Sequence, residues 1–140
     1  MIVAAVAVIA TGVWFVQFMR DRHEQAKRES GYQTVLAAYT VELKSGMTRE
    51  QVEQYLQANG KRFKQMCCVA NFKGEYVSVD RARYADLVRI AEERPPFFCS
   101  EKNVYVAFEF NPKSQRELSH TNGSDILKRV SVFRQLEGCM

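Results

Sequence analysis

Hydrophobic positions change rhythm repeatedly along the chain. From residue 2 to residue 19 the sequence reads IVAAVAVIATGVWFVQFM, uncharged and apolar on every face of a helix, beginning at Ile2 and closing at Met19. At 1.5 Å per residue such a helix spans roughly 27 Å, close to the roughly 30 Å hydrocarbon core of a bilayer. Trp14 and Phe15 suit the interfacial belt, and Arg20 and Arg22 follow at once as a polar stop. The pattern predicts a transmembrane anchor over residues 1–19. A cleavable signal peptide is disfavoured, because no basic segment precedes the apolar run and no small-x-small site follows it. Residues 20–30, RDRHEQAKRES, carry no apolar periodicity and read as a juxtamembrane stalk in which His23 is a solvated side chain.

The rhythm then becomes helical. Tyr32, Val35, Leu36, Tyr39 and Leu43 recur at spacings of three and four, one apolar stripe that ends near Ser45 and Gly46. Thr48 with Gln51 three residues on is a capping box, which satisfies amides left open at the start of a second helix. Val52, Tyr55 and Leu56 form its stripe, and Asn59-Gly60 ends it. The two helices are expected to form an αα-hairpin.

Alternation follows over residues 62–70, RFKQMCCVA, and predicts a strand. Over residues 83–94, Leu87, Ile90 and Ala91 stand at helical spacing before Pro95-Pro96, which predicts a short inserted helix. Residues 103–110 alternate again, with Val104, Val106, Phe108 and Phe110 opposite Tyr105, Ala107 and Glu109, a half-buried strand. After a polar loop, residues 126–136 form a last strand pairing antiparallel with it, Val130 and Val132 inward. The expected fold is therefore α+β: an N-terminal transmembrane helix, then an αα-hairpin packed on a three-stranded antiparallel sheet, with a short inserted helix.

The segment Leu43-Lys44-Ser45-Gly46-Met47-Thr48-Arg49-Glu50-Gln51-Val52 resembles the L-x-x-G-M-T-x-x-x-V motif of the SmpA/OmlA family, the BamE-like outer-membrane assembly lipoproteins. Gly46, Met47, Thr48, Gln51 and Val52 carry the match. The resemblance implies two helices packed on a three-stranded antiparallel sheet over residues 31–140, and a cell-envelope setting, but not membership of the outer-membrane assembly machine; the expected partners are the membrane, through Ile2 to Met19, and another envelope protein. It does not extend to the lipidated cysteine of that family, since the first cysteine here is Cys67.

Composition narrows the function. With 46% hydrophobic and 26% charged residues the 140-residue chain has the make-up of one folded domain. Its net charge of +4 comes from basic residues interleaved with acids, so nucleic acid is excluded as an expected partner. Arg20, Arg22, Lys27 and Arg28 all follow the apolar run, which by the positive-inside rule places the C-terminal domain in the cytoplasm. Four cysteines in a small domain point the other way, to an extracytoplasmic domain, and this placement is favoured.

Cys67, Cys68, Cys99 and Cys139 are the one group with chemical potential. They lack the C-x-x-C spacing of zinc and redox sites, so structural disulfides are expected, or buried apolar thiols if the domain is cytoplasmic. A vicinal Cys67–Cys68 bond would break the extended strand. That leaves two connectivities, each joining one of the pair to Cys99 and the other to Cys139. Ser119, His120 and Asp125 share a polar loop without the rigid support a triad needs. Asn122-Gly123-Ser124 reads as turn chemistry rather than as a glycosylation signal. No catalytic residue, cofactor or metal is assigned. The expected function is a membrane-anchored, non-catalytic binding or scaffold protein of the envelope, and the alternative is a thiol-dependent redox or sensor protein using the four cysteines.

Overall fold

A computed structural model describes residues 2–67, 84–111 and 122–140, with backbone only for residues 2–11, 13, 67 and 84. Two helices and four strands follow in order: α1 (Ile2–Glu42), α2 (Arg49–Ala58), β1 (Lys64–Cys67), β2 (Tyr84–Glu93), β3 (Glu101–Asn111) and β4 (Ile126–Glu137). The chain divides into two compact units, Met1–Val35 and Leu36–Met140.

In the first unit α1 passes unbroken from the apolar run into Arg20, Asp21, Arg22, His23 and Glu24, all exposed. Among the described residues no helix is long and apolar enough to cross a membrane. This overturns the expected transmembrane anchor, and with it the single-pass placement and both orientations argued from it. Trp14 and Phe18 stack at 5.7 Å between ring centroids, and the Arg22 guanidinium lies 4.9 Å over the Phe18 ring.

In the second unit the strands form a meander, β1-β2-β3-β4, every neighbouring pair antiparallel. Among the described residues the sheet has four strands, not three, because the expected inserted helix is β2. Ala85 and Leu87 pack on one face of the sheet while Val88 and Ile90 pack on the other, as period-two alternation requires. Opposite β3, Arg89 pairs with Tyr105 and Ala91 with Val104, so Ile90 is the extra residue of a bulge. Leu87 and Ile90, three positions apart, therefore lie on opposite faces of a strand that is apolar on both, which is what gives the segment its helix-like spacing.

β3 shows the expected alternation but is buried on both faces, not half-buried. Val106, Phe108 and Phe110 face the helices, whereas Tyr105 and Ala107 join Ala85 and Leu87 opposite. On the helix side Tyr39 of α1, Leu43 just beyond its end, and Val52 and Leu56 of α2 close the core with Val88 and Leu127, and Tyr39 meets Phe108 edge-on at 5.3 Å. Full burial of a leucine or phenylalanine side chain contributes about 1.5–3 kcal/mol, which makes this layer the main source of helix–sheet cohesion.

The link between the helices matches its sequence reading. Gly46 has φ +98°, a conformation closed to side-chain-bearing residues. The Thr48 hydroxyl accepts from Gln51 N while Thr48 N donates to the Gln51 side chain, the reciprocal capping box. Gly60, at φ +65°, turns the chain out of α2.

Candidate functional site

Three side-chain clusters in the second unit carry charge or exposed apolar surface. The first begins with Arg49, the first residue of α2. A cation there opposes the positive end of the helix dipole, so its guanidinium must find anions elsewhere. It lies inside the protein at 1% exposure beside Asp86 at 0%. Arg49 Nη2 donates to Asp86 Oδ1 at 2.6 Å and Nε to Oδ2 at 3.2 Å, a bidentate pair. Glu53 Oε1 lies 3.4 Å from Nε and Asp125 Oδ2 3.6 Å from Nη1, and the guanidinium covers the Phe110 ring at 4.6 Å. Burial pushes the Asp86 carboxyl up, against the lowering pull of Arg49. Arg49 N also donates to Asp125 O at 2.7 Å, and Glu50 N to Gly123 O at 3.0 Å. The cluster therefore ties the start of α2 to β2 and to the turn before β4. With both partners sealed from solvent, it is a clamp without access for a substrate.

The second cluster lies on the other face of the sheet. Lys64 Nζ sits 3.0 Å from Glu137 Oε1 and 4.6 Å over the Tyr105 ring, and Tyr105 Oη donates to the same carboxylate at 3.3 Å. Burial lowers the Lys64 ammonium, but its bonds to Tyr105 and Glu137 outweigh that and hold it above the usual lysine value. The hydrogen bond from Lys64 holds Glu137 below the usual carboxylate range. Glu93 separately takes Lys102 at 2.7 Å and Arg134 at 3.3 Å, which lower its carboxyl despite burial.

The third cluster is the end of the sheet where β2 turns into β3. Cys99, in that turn, is bonded to Cys139, just beyond β4, across 40 positions of sequence. Both expected connectivities are overturned, because each kept Cys99 and Cys139 apart. Proximity at the sheet end decides the pairing: Glu101 lies opposite Glu137 in the ladder, so the residues just outside each strand meet. Met140 N donates to Phe98 O at 3.0 Å, Ser100 N to Glu137 O at 3.1 Å, and Ser100 Oγ to the same carbonyl. On this braced frame Phe97 and Met140 are fully exposed, at 106% and 107%, and Phe98 is exposed beside them.

Of the other residues singled out in the sequence, Cys68, Ser119 and His120 lie outside the described residues, as does the Cys67 side chain. Asp125 is buried next to Arg49, and its Oδ2 accepts from Asn122 N at 3.1 Å. Asn122 Oδ1 accepts from Ser124 N at 3.0 Å, the turn chemistry expected of Asn122-Gly123. Among the described residues no group of three or more His, Cys, Asp or Glu side chains is placed to hold a metal ion. The Arg49–Asp86 pair is invisible to sequence reasoning, whose one available signal is an arginine set directly behind a helix cap.

The second unit thus defines a class, an α+β domain of two helices on a four-stranded antiparallel meander. No family model matches the chain, and neither a curated protein nor a solved structure matches it.

Proposed function

We propose that this chain is a non-catalytic binding or scaffold protein that engages another protein through the disulfide-braced end of its sheet. One observation carries the reading: Phe97, Phe98 and Met140 stand exposed on a frame fixed by the Cys99–Cys139 bond. Large apolar side chains held out in water on a rigid support mark an interaction surface, since a merely structural turn has no use for them. The charged clusters support the same reading, because each serves contacts within the domain. The resemblance of residues 43–52 to the SmpA/OmlA family agrees with a scaffold role. The partner's chemistry follows from the knob it receives, an apolar pocket wide enough for two aromatic rings.

A photo-crosslinking amino acid placed at Phe97 of the full chain in its native cells tests this. The expected result is one discrete adduct, lost on Phe98→Asp and missing when the probe replaces exposed Gln57 instead. Equal labelling from both positions, or none from Phe97, refutes the proposal. The alternative, a thiol-dependent redox or sensor protein, gains support if unreduced Cys99 or Cys139 reacts with a maleimide.

A further inference from the structure

Asparagine followed by glycine occurs at Asn59-Gly60 and again at Asn122-Gly123. The dipeptide carries a reaction of its own. Glycine has no side chain to hinder its backbone nitrogen, which can attack the Cγ of the preceding amide. In that step the bond from the glycine nitrogen to Cγ forms, the Cγ–Nδ2 bond breaks, and Nδ2 leaves as ammonia with the proton that the glycine nitrogen gives up. Water then opens the resulting cyclic imide. Opening at Cγ leaves aspartate, whereas opening at the backbone carbonyl leaves isoaspartate, in which the chain runs through the former side chain. Water is the only co-reactant.

Asn59, Gly60, Asn122 and Gly123 are all exposed, so access does not separate the two sites. Hydrogen bonding does. At the end of α2, Gly60 N donates to Gln57 O at 2.9 Å and Asn59 Nδ2 donates to Tyr55 O at 2.8 Å. Nucleophile and leaving group are both bound to the helix, and both bonds must break before the ring can close. At Asn122 the bond falls on a different atom, for Ser124 N donates to Asn122 Oδ1 at 3.0 Å. This bond closes a ring of atoms that includes Gly123 N. It also sets an N–H on the oxygen that becomes negative as nitrogen adds to Cγ, where a donor stabilises the transition state.

We propose that Asn122 is a site of self-modification, converted through the imide to isoaspartate while Asn59 is protected, and that the conversion releases the start of α2. The turn at Asn122 holds that helix end: Glu50 N donates to Gly123 O at 3.0 Å and Arg49 N to Asp125 O at 2.7 Å. Isoaspartate lengthens the backbone by an atom ahead of Gly123, which pushes both acceptors out of place. It also makes Asn122 O, the acceptor for Asp125 N at 3.0 Å, part of a new carboxylate. Like charge is thereby added next to Asp125, whose Oδ2 lies 3.6 Å from Arg49 Nη1.

Peptide mapping by mass spectrometry tests this on the full chain, kept folded at mildly alkaline pH. Asn122 is expected to convert at least about tenfold faster than Asn59, the penalty of the two bonds that hold Asn59 and Gly60. In urea, with the chain unfolded, the two should convert alike. The isoaspartyl form, separated by its added charge, should exchange the amide hydrogens of Arg49 and Glu50 at least about tenfold faster than the unconverted protein. Asn59 converting as fast as Asn122 in the folded chain, an Asn122 that stays an amide, the same difference persisting in urea, or unchanged exchange at Arg49 and Glu50 would each overturn the proposal.

Discussion

Arg49 and Asp86 bind each other in a place where neither could stay alone. A bidentate pair shut away from water recovers its desolvation cost only while both partners are present, so truncating one strands the other. Arg49→Ala is expected to destabilise the domain by about 3–5 kcal/mol, since Asp86 would stay buried without its cation. Replacing the pair together, Arg49→Met with Asp86→Leu, should cost much less than Arg49→Ala alone, because two apolar side chains of similar volume need no partner. Denaturant unfolding of the two variants checks the order. An Arg49→Ala protein as stable as the double variant would show that water reaches Asp86.

At the scale of elements, the turn between α1 and α2 joins two independent local devices. Gly46 takes a positive φ in open space, with nothing within 4 Å of an added Cβ, so the penalty of Gly46→Val is one of backbone and not of crowding. That strain should cost about 1–3 kcal/mol. Thr48→Ala removes one bond of the capping box and should cost about 1 kcal/mol. Thermal unfolding of both variants is expected to show the larger drop for Gly46→Val.

These devices are legible in the sequence because they are local: a glycine, a hydroxyl and a glutamine at fixed offsets act on their own backbone. The alternation of β3 is legible too, but its burial on both faces is not, since burial depends on what packs from elsewhere. β2 reads as a helix because it is apolar on both faces, so Leu87 and Ile90, three positions apart, imitate one stripe while lying on opposite sides of the sheet. The Arg49–Asp86 clamp is hidden for a related reason. Its partners are 37 residues apart, and only the register of β2 brings them together.

For the whole molecule, the Cys99–Cys139 bond joins the β2–β3 turn to the C-terminus and closes a loop of 40 positions. In the chain-entropy account a loop of that length contributes about 2–4 kcal/mol by restricting the unfolded chain. Cys139→Ser should lower stability by that amount while leaving the β2–β3 ladder intact. Gly138, at φ +60°, adds a second constraint, because a Cβ there would stand 2.1 Å from Ser100 Oγ. Denaturation of wild type with and without a reducing agent, beside Cys139→Ser, provides the measurement, and the variant should match the reduced protein.

The order of the strands also has a consequence in time. Among the described residues each strand pairs with its neighbours along the chain, so the sheet can zip from adjoining segments at modest entropic cost. The helices enjoy no such proximity, for Ser45 reaches Leu127 across 82 positions. Closing so wide a loop is slow and is favoured once the sheet already offers a surface to dock on. Arg49→Ala is accordingly expected to speed unfolding more than it slows folding, which stopped-flow measurement of the two rates checks.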